Sequence, residues 1–137
     1  MKTSLIATLA VVALAVPAFA GDAEKGEKEF KKCKACHMIQ AEDGTDIVKG
    51  GKTGPNLYGI VGKPAAHQEG FKYKESIVEF AGANPDFVWT EEELAVYMTD
   101  PSAWLEAKLG AKAKSGMTHK QKKDQEDIAA YLASVTQ

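Results

Sequence analysis

The run Cys33-Lys34-Ala35-Cys36-His37 sets the chemistry around which the rest of this 137-residue chain must be built. A Cys-x-x-Cys-His order reads as a c-type haem attachment site. Two thiols three positions apart can bond covalently to the two vinyl groups on one edge of a porphyrin. The histidine that follows is then held under the iron, where an imidazole nitrogen makes the fifth bond. Cys33 and Cys36 are the only cysteines, so every thiol in the chain goes into the motif.

Other readings of the pair are weaker. A thioredoxin-like dithiol expects a strand-helix-strand context, and nothing near residue 33 alternates like a strand. Half of a zinc site would need further ligands, but there are no more cysteines, and His67 and His119 lie far away in sequence. A structural disulfide would leave His37 without a purpose.

Outward to the N-terminus, Lys2 gives a short positive region, and Leu5 to Val16 is an apolar run of leucine, valine and alanine. Ala18-Phe19-Ala20 has the small-x-small pattern of a signal peptidase site, so residues 1–20 read as a secretory leader cleaved after Ala20. An uncleaved anchor is the alternative, but the apolar run falls short of the roughly 20 residues a span needs. Residues 21–137 amount to one domain. Removing Lys2 with the leader leaves 16 lysines against 19 acids. Arginine is absent, which makes bidentate phosphate or guanine recognition a poor fit and argues against nucleic acid as a partner.

The remaining pattern is helices and loops. Asp22 to Lys34 reads as a first helix, with Ala23, Gly26, Phe30 and Cys33 on one face. From Ile39 to about Phe71 glycines and prolines dominate, which predicts a long ordered loop able to fold around a haem edge. Thr90-Glu91-Glu92-Glu93 is a capping box opening a helix to about Asp100, with Leu94, Tyr97 and Met98 on its apolar side. Asp100-Pro101 reads as the N-cap and first position of a short helix through Leu105. Thr118 to Gln121 reads as a further capping box, opening a final helix with Ile128, Ala129, Leu132 and Val135 inward. No convincing strand is present. The expected fold is all-α, a small helical domain wrapped around one covalent haem.

The whole of residues 21–137 resembles the class I c-type cytochromes of the bacterial cytochrome c2 type, relatives of mitochondrial cytochrome c. The likeness runs through Gly26, Phe30, the Cys33–His37 motif, Thr53-Gly54-Pro55-Asn56-Leu57-Tyr58-Gly59 and Gly70-Phe71-Lys72-Tyr73. It continues through Trp89-Thr90-Glu91-Glu92, Tyr97, Lys114-Ser115-Gly116-Met117-Thr118 and Ile128-Ala129-Ala130-Tyr131-Leu132. In that family attachment of the haem takes place outside the cytoplasmic membrane, which agrees with the leader.

The resemblance implies one haem c whose iron is held by His37 and, on the opposite face, by a methionine sulfur. Met1 leaves with the leader, Met38 is on the wrong side of the iron, and Met98 sits at a helical core spacing. Met117 lies in a loop of small and basic residues and matches the family's ligand position. His119 is its rival, at a place where relatives often carry an aromatic, and reads as a surface-loop histidine. The carbonyl of Pro55 is implied to accept the other N–H of His37. Tyr73 and Trp89 match positions that hydrogen-bond a haem propionate, and Tyr97 matches a tyrosine near the methionine sulfur. Lys63 stands where mitochondrial relatives have an arginine near a propionate, and it lacks that planar fork of donors.

The implied function is one-electron transfer in the periplasm, without catalysis: a peroxidase or gas sensor needs an open sixth position, which Met117 would fill. A structural or metal-storage role gives no reason for the motif. The family's partners are a membrane cytochrome bc complex as donor and a photosynthetic reaction centre or terminal oxidase as acceptor. The expectation is a monomer that does not span the membrane. Charge placement suggests the docking face. Between Glu75 and Glu106 there are eight acids and no lysine, whereas Ala107 to Lys123 carries six lysines and no acid. The basic run brackets Met117, so Lys112, Lys114, Lys120, Lys122 and Lys123 should ring the haem edge and steer the protein toward acidic partners. Two ordinary solvated faces are the alternative.

Overall fold

The computed structural model describes residues 21–135, and the leader expected at residues 1–20 lies outside the described residues. Among the described residues five short α-helices carry the fold, in keeping with the expected all-α class: α1 (Ala23–Glu29), α2 (Glu75–Ala83), α3 (Glu91–Thr99), α4 (Pro101–Leu109) and α5 (Gln125–Ser134). No helix among the described residues is long and apolar enough to cross a membrane.

The two ends of the chain meet where α1 packs on α5. Gly26 makes this possible, because a Cβ built there would lie 1.9 Å from the Asp127 carbonyl oxygen and 2.9 Å from Tyr131 Cβ. Behind the glycine the Phe30 and Tyr131 rings pack at 5.7 Å. At the rim Lys25 bridges Asp124 and Asp127 at 2.6 and 2.8 Å, and the Asp22 amide donates to Asp127 at 2.8 Å. Asp22 also caps α1, its carboxylate accepting from the Glu24 and Lys25 amides.

Several elements differ from the sequence-based expectation. The first helix is α-helical only to Glu29. It then tightens into a 3-10 turn over Phe30–Lys32 instead of running on to Lys34. The tightening shows in the Cys33 amide, which bonds back to Phe30 O at 2.8 Å. The long loop contains a small antiparallel hairpin, β1 (Ile39–Gln40) against β2 (Asp46–Val48), too short to show as alternation. Helix α2 had no expected counterpart. Lys74 at its N-cap makes no side-chain cap bond, so the usual start signal is missing. Helix α4 runs past Leu105 to Leu109 and closes on Gly110 in the left-handed region, at φ 68°. The expected final helix start at Thr118–Gln121 is wrong. Helix α5 begins at Gln125, after Asp124 at φ 63° with no side-chain cap. The earlier stretch cannot coil because the Gln121 amide is drawn onto the Met98 carbonyl of α3 at 2.8 Å.

Thr90 caps α3 as expected, accepting from the Glu93 amide at 3.1 Å. The box is only half made, because the Glu93 carboxylate binds the Trp104 indole at 2.7 Å and also Lys108. Trp104 belongs to an aromatic cluster with Phe80, Phe87, Trp89 and Tyr97, mostly edge to face, with Trp89 and Trp104 stacked at 5.3 Å.

Candidate haem site

The attachment motif lies in the turn after α1, against a glycine-rich stretch. Gly51 and Gly54 donate to the carbonyls of Lys34 and Cys36 at 2.9 and 2.8 Å. A Cβ on Gly50 would lie 1.8 Å from His37 O, so only glycine lets the two backbones run this close. No disulfide joins the two cysteines, of which Cys36 is exposed and Cys33 partly covered.

His37 is 8% exposed, and its Nδ1 lies 2.8 Å from Pro55 O, the contact the resemblance implied. A carbonyl only accepts, so Nδ1 carries the proton and Nε2 keeps its lone pair. Among the described residues nothing bonds Nε2. Burial holds the imidazolium form down, against the opposing pull of the Pro55 carbonyl. Gly54 lies flat on the ring, since a Cβ there would come within 2.4 Å of His37 Cε1. A buried, neutral, oriented imidazole with an unpartnered nitrogen fits an iron ligand.

The loop carrying Met117 is tied down by hydroxyls that the sequence reading did not single out. Ser76 of α2 accepts from the Lys114 amide at 3.1 Å, and Ser102 of α4 accepts from the Ser115 amide at 3.0 Å. Ser115, only 6% exposed, contacts the Tyr97 hydroxyl at 2.9 Å and accepts from the Met117 amide at 3.0 Å. Tyr97 is therefore joined to the methionine loop through Ser115. The Lys74 stem crosses Gly116, where a Cβ would sit 2.7 Å from Lys74 Cγ. Met117 is partly buried and packs against the core.

Trp89 is 6% exposed, yet its indole N–H donates to no acceptor among the described residues, unlike that of Trp104. That unused donor suits a haem propionate. Tyr73 is half-buried, and its hydroxyl accepts from the Gln68 amide at 3.2 Å. Lys63 is exposed; its carbonyl pairs with the Trp89 amide at 2.9 Å, and its ammonium has no ion-pair partner among the described residues. His119 is exposed, as a surface-loop residue should be, but its Nε2 lies 2.8 Å from the buried Gln121.

The basic run is less uniform than its sequence suggests. Lys120 is paired with Asp100 at 2.6 Å, and Lys108 with Glu93. Lys112, Lys114, Lys122 and Lys123 are exposed, with no ion pair among the described residues. The described residues hold no group of three or more His, Cys, Asp or Glu placed to share a metal.

No protein-family model matches the chain. Individual proteins do match. Cytochrome c-550 of Paracoccus versutus is 62% identical over 136 residues, covering 97% of this chain and 88% of its own. Cytochrome c2 of Rhodobacter capsulatus is 61% identical over 137 residues, covering 98% of each. The crystal structure of ferric cytochrome c-550 from Paracoccus versutus superimposes with a TM-score of 0.83 at 61% identity, over 85% of this chain and 99% of that one. With the helical fold, the Cys33–His37 turn and the oriented imidazole, these likenesses assign the chain to the class I c-type cytochromes of the cytochrome c2 and c-550 group, electron carriers with one covalently bound haem c.

Proposed function

We propose that the chain, exported and cleaved after Ala20 to leave one domain of residues 21–137, is a soluble periplasmic one-electron carrier with His37 and Met117 as axial ligands. It takes electrons from a membrane cytochrome bc complex and delivers them to a photosynthetic reaction centre or a terminal oxidase. The observation that carries this reading is the His37 ring, fixed by Pro55 at 2.8 Å with its second nitrogen unpartnered. The haem supplies a reversible one-electron couple.

The chain's residues set how easily that couple turns over. Pro55 orients His37 and makes Nε2 a better donor. The Met117 thioether is soft and favours the reduced state, raising the potential relative to two imidazoles. Tyr97 and Ser115 hold the methionine loop, which keeps ligand movement small on electron transfer. Trp89 and Tyr73 offer an N–H and an O–H to the propionates. With His37 and Met117 both holding the iron, no position would be left for oxygen or substrate, and this separates the reading from a peroxidase or gas sensor.

The test is an absorption spectrum of the exported protein in both redox states, with carbon monoxide added to the reduced form. The reading predicts covalent haem, the weak red band of ferric iron bound to sulfur, and no carbon monoxide adduct. Ready binding of carbon monoxide to the unaltered protein would contradict it.

A further inference from the structure

Gln121 is a polar side chain sealed in the interior, 3% exposed, at the end of the methionine loop. Four hydrogen bonds hold it. Its backbone amide donates to Met98 O of α3 at 2.8 Å, and its carbonyl accepts from the Gln125 side chain of α5 at 2.9 Å. Its side-chain Nε2 donates to Lys123 O at 2.8 Å, and its Oε1 meets His119 Nε2 at 2.8 Å. These contacts fix the amide's orientation. The Lys123 carbonyl can only accept, so the amide NH2 must face it and Oε1 must face His119. Nε2 of His119 is therefore the protonated nitrogen and the donor.

His119 stands two residues beyond Met117. An imidazole so placed is a competitor for the sixth position, because ferric iron accepts imidazole nitrogen readily while thioether sulfur favours the ferrous state. The nitrogen with the longest reach is Nε2, and it cannot offer a lone pair to iron while its proton is donated to Gln121.

We infer that Gln121 is a positioning residue that holds the His119 imidazole away from the iron and thereby protects Met117 as the ligand. The chain thus carries a latent second ligand set, His37 with His119, which the Gln121 contact keeps unpopulated. The inference rests on the proposed His37 and Met117 ligation and adds a mechanism that maintains it. An apolar residue of similar size at 121 could fill the same space but could not hold the imidazole.

The experiment compares the ferric spectra and midpoint potentials of the wild-type holoprotein, Gln121→Leu, and the double variant His119→Phe/Gln121→Leu. The wild type should show the sulfur band. Gln121→Leu should lose part of that band and shift to lower potential, with the spectrum of a low-spin iron bound by two nitrogens. The double variant should regain the band. A full band in Gln121→Leu would overturn the inference. So would a loss that persists in the double variant, since Gln121 would then merely support the loop. If Leu does not fold, Gln121→Asn keeps the polarity but shortens the reach, and the same outcomes apply. A wild type without the sulfur band would defeat the Met117 reading itself, and the inference with it.

Discussion

The corner where α1 meets α5 and the loops that face the haem are built on opposite terms. At the corner the protein supplies both halves of its contacts: Gly26 against the Asp127 carbonyl, Phe30 against Tyr131, Lys25 between two carboxylates. Around the haem site groups are left without partners among the described residues, above all His37 Nε2 and the Trp89 indole N–H. The corner is complete as protein, whereas the loops are finished by the prosthetic group. The two regions should therefore fail differently when altered.

The largest expected effect is at the corner. Gly26→Val places a side chain where the Asp127 carbonyl already sits, and the helices must separate. The loss should reach about 3 kcal/mol, the upper end of what overpacking typically costs, read as a large drop in the midpoint of thermal unfolding. A small drop would mean that the corner is not the tight contact described. Ser115→Ala tests the other region. It leaves the Tyr97 hydroxyl and the Met117 amide without their shared partner, at a cost of about 1–3 kcal/mol. The damage should concentrate at the site, with the ferric sulfur band lost on warming well before the helices melt. Simultaneous loss of band and helix would erase the distinction between the regions.

A smaller effect follows from pH. The Asp22 amide, and then Lys25, hold the Asp127 carboxyl below its ordinary value of 3.8. A depressed carboxyl contributes stability that is present above the unfolded value and lost as pH falls through the folded one. The stability gap between wild type and Asp127→Asn should thus shrink as pH drops below about 4. A gap that stays constant through that window would show that the charge contributes nothing there.

The smallest effect on stability, near zero, is expected from Lys112, Lys114 and Lys122 reversed to Glu, because all three are exposed and without an ion pair among the described residues. Their influence should appear instead in the association rate with an acidic redox partner. That rate should fall, and its salt dependence should flatten, given a Debye length of about 10 Å at 0.1 M. Reversing Glu91, Glu92 and Glu106 to Lys, the same number of charges, should matter much less. Glu93 is a poor control, since it holds Trp104 and Lys108. Equal effects from both sets would mean that net charge governs the encounter.

What the sequence revealed follows from how local each signal is. The Cys33–His37 motif is legible because its chemistry is covalent and fits within five residues. Thr90 and Asp100 are legible as caps because a cap is a contact across three residues. Helix α2 starts without any side-chain cap, so its start was silent. Thr118–Gln121 mimics a capping box, but a distant carbonyl, Met98 O, decides what that backbone does. Ser115 and Gln121 look like solvated loop residues in sequence. Their burial comes from α3, α4 and α5 closing over them, which no local pattern records. The pairing of Lys120 with Asp100 was hidden for the same reason, being set by how the methionine loop lies on α4.

The central claim is that this protein closes its haem iron with His37 on one side and Met117 on the other. The most direct measurement is the ferric absorption spectrum and midpoint potential of the exported protein, before and after Met117→Ala. The account predicts a weak red sulfur band in the wild type. In the variant that band disappears, the potential falls and carbon monoxide binds the reduced form. An unchanged ferric spectrum in Met117→Ala would contradict it, because some other group would then hold the sixth position.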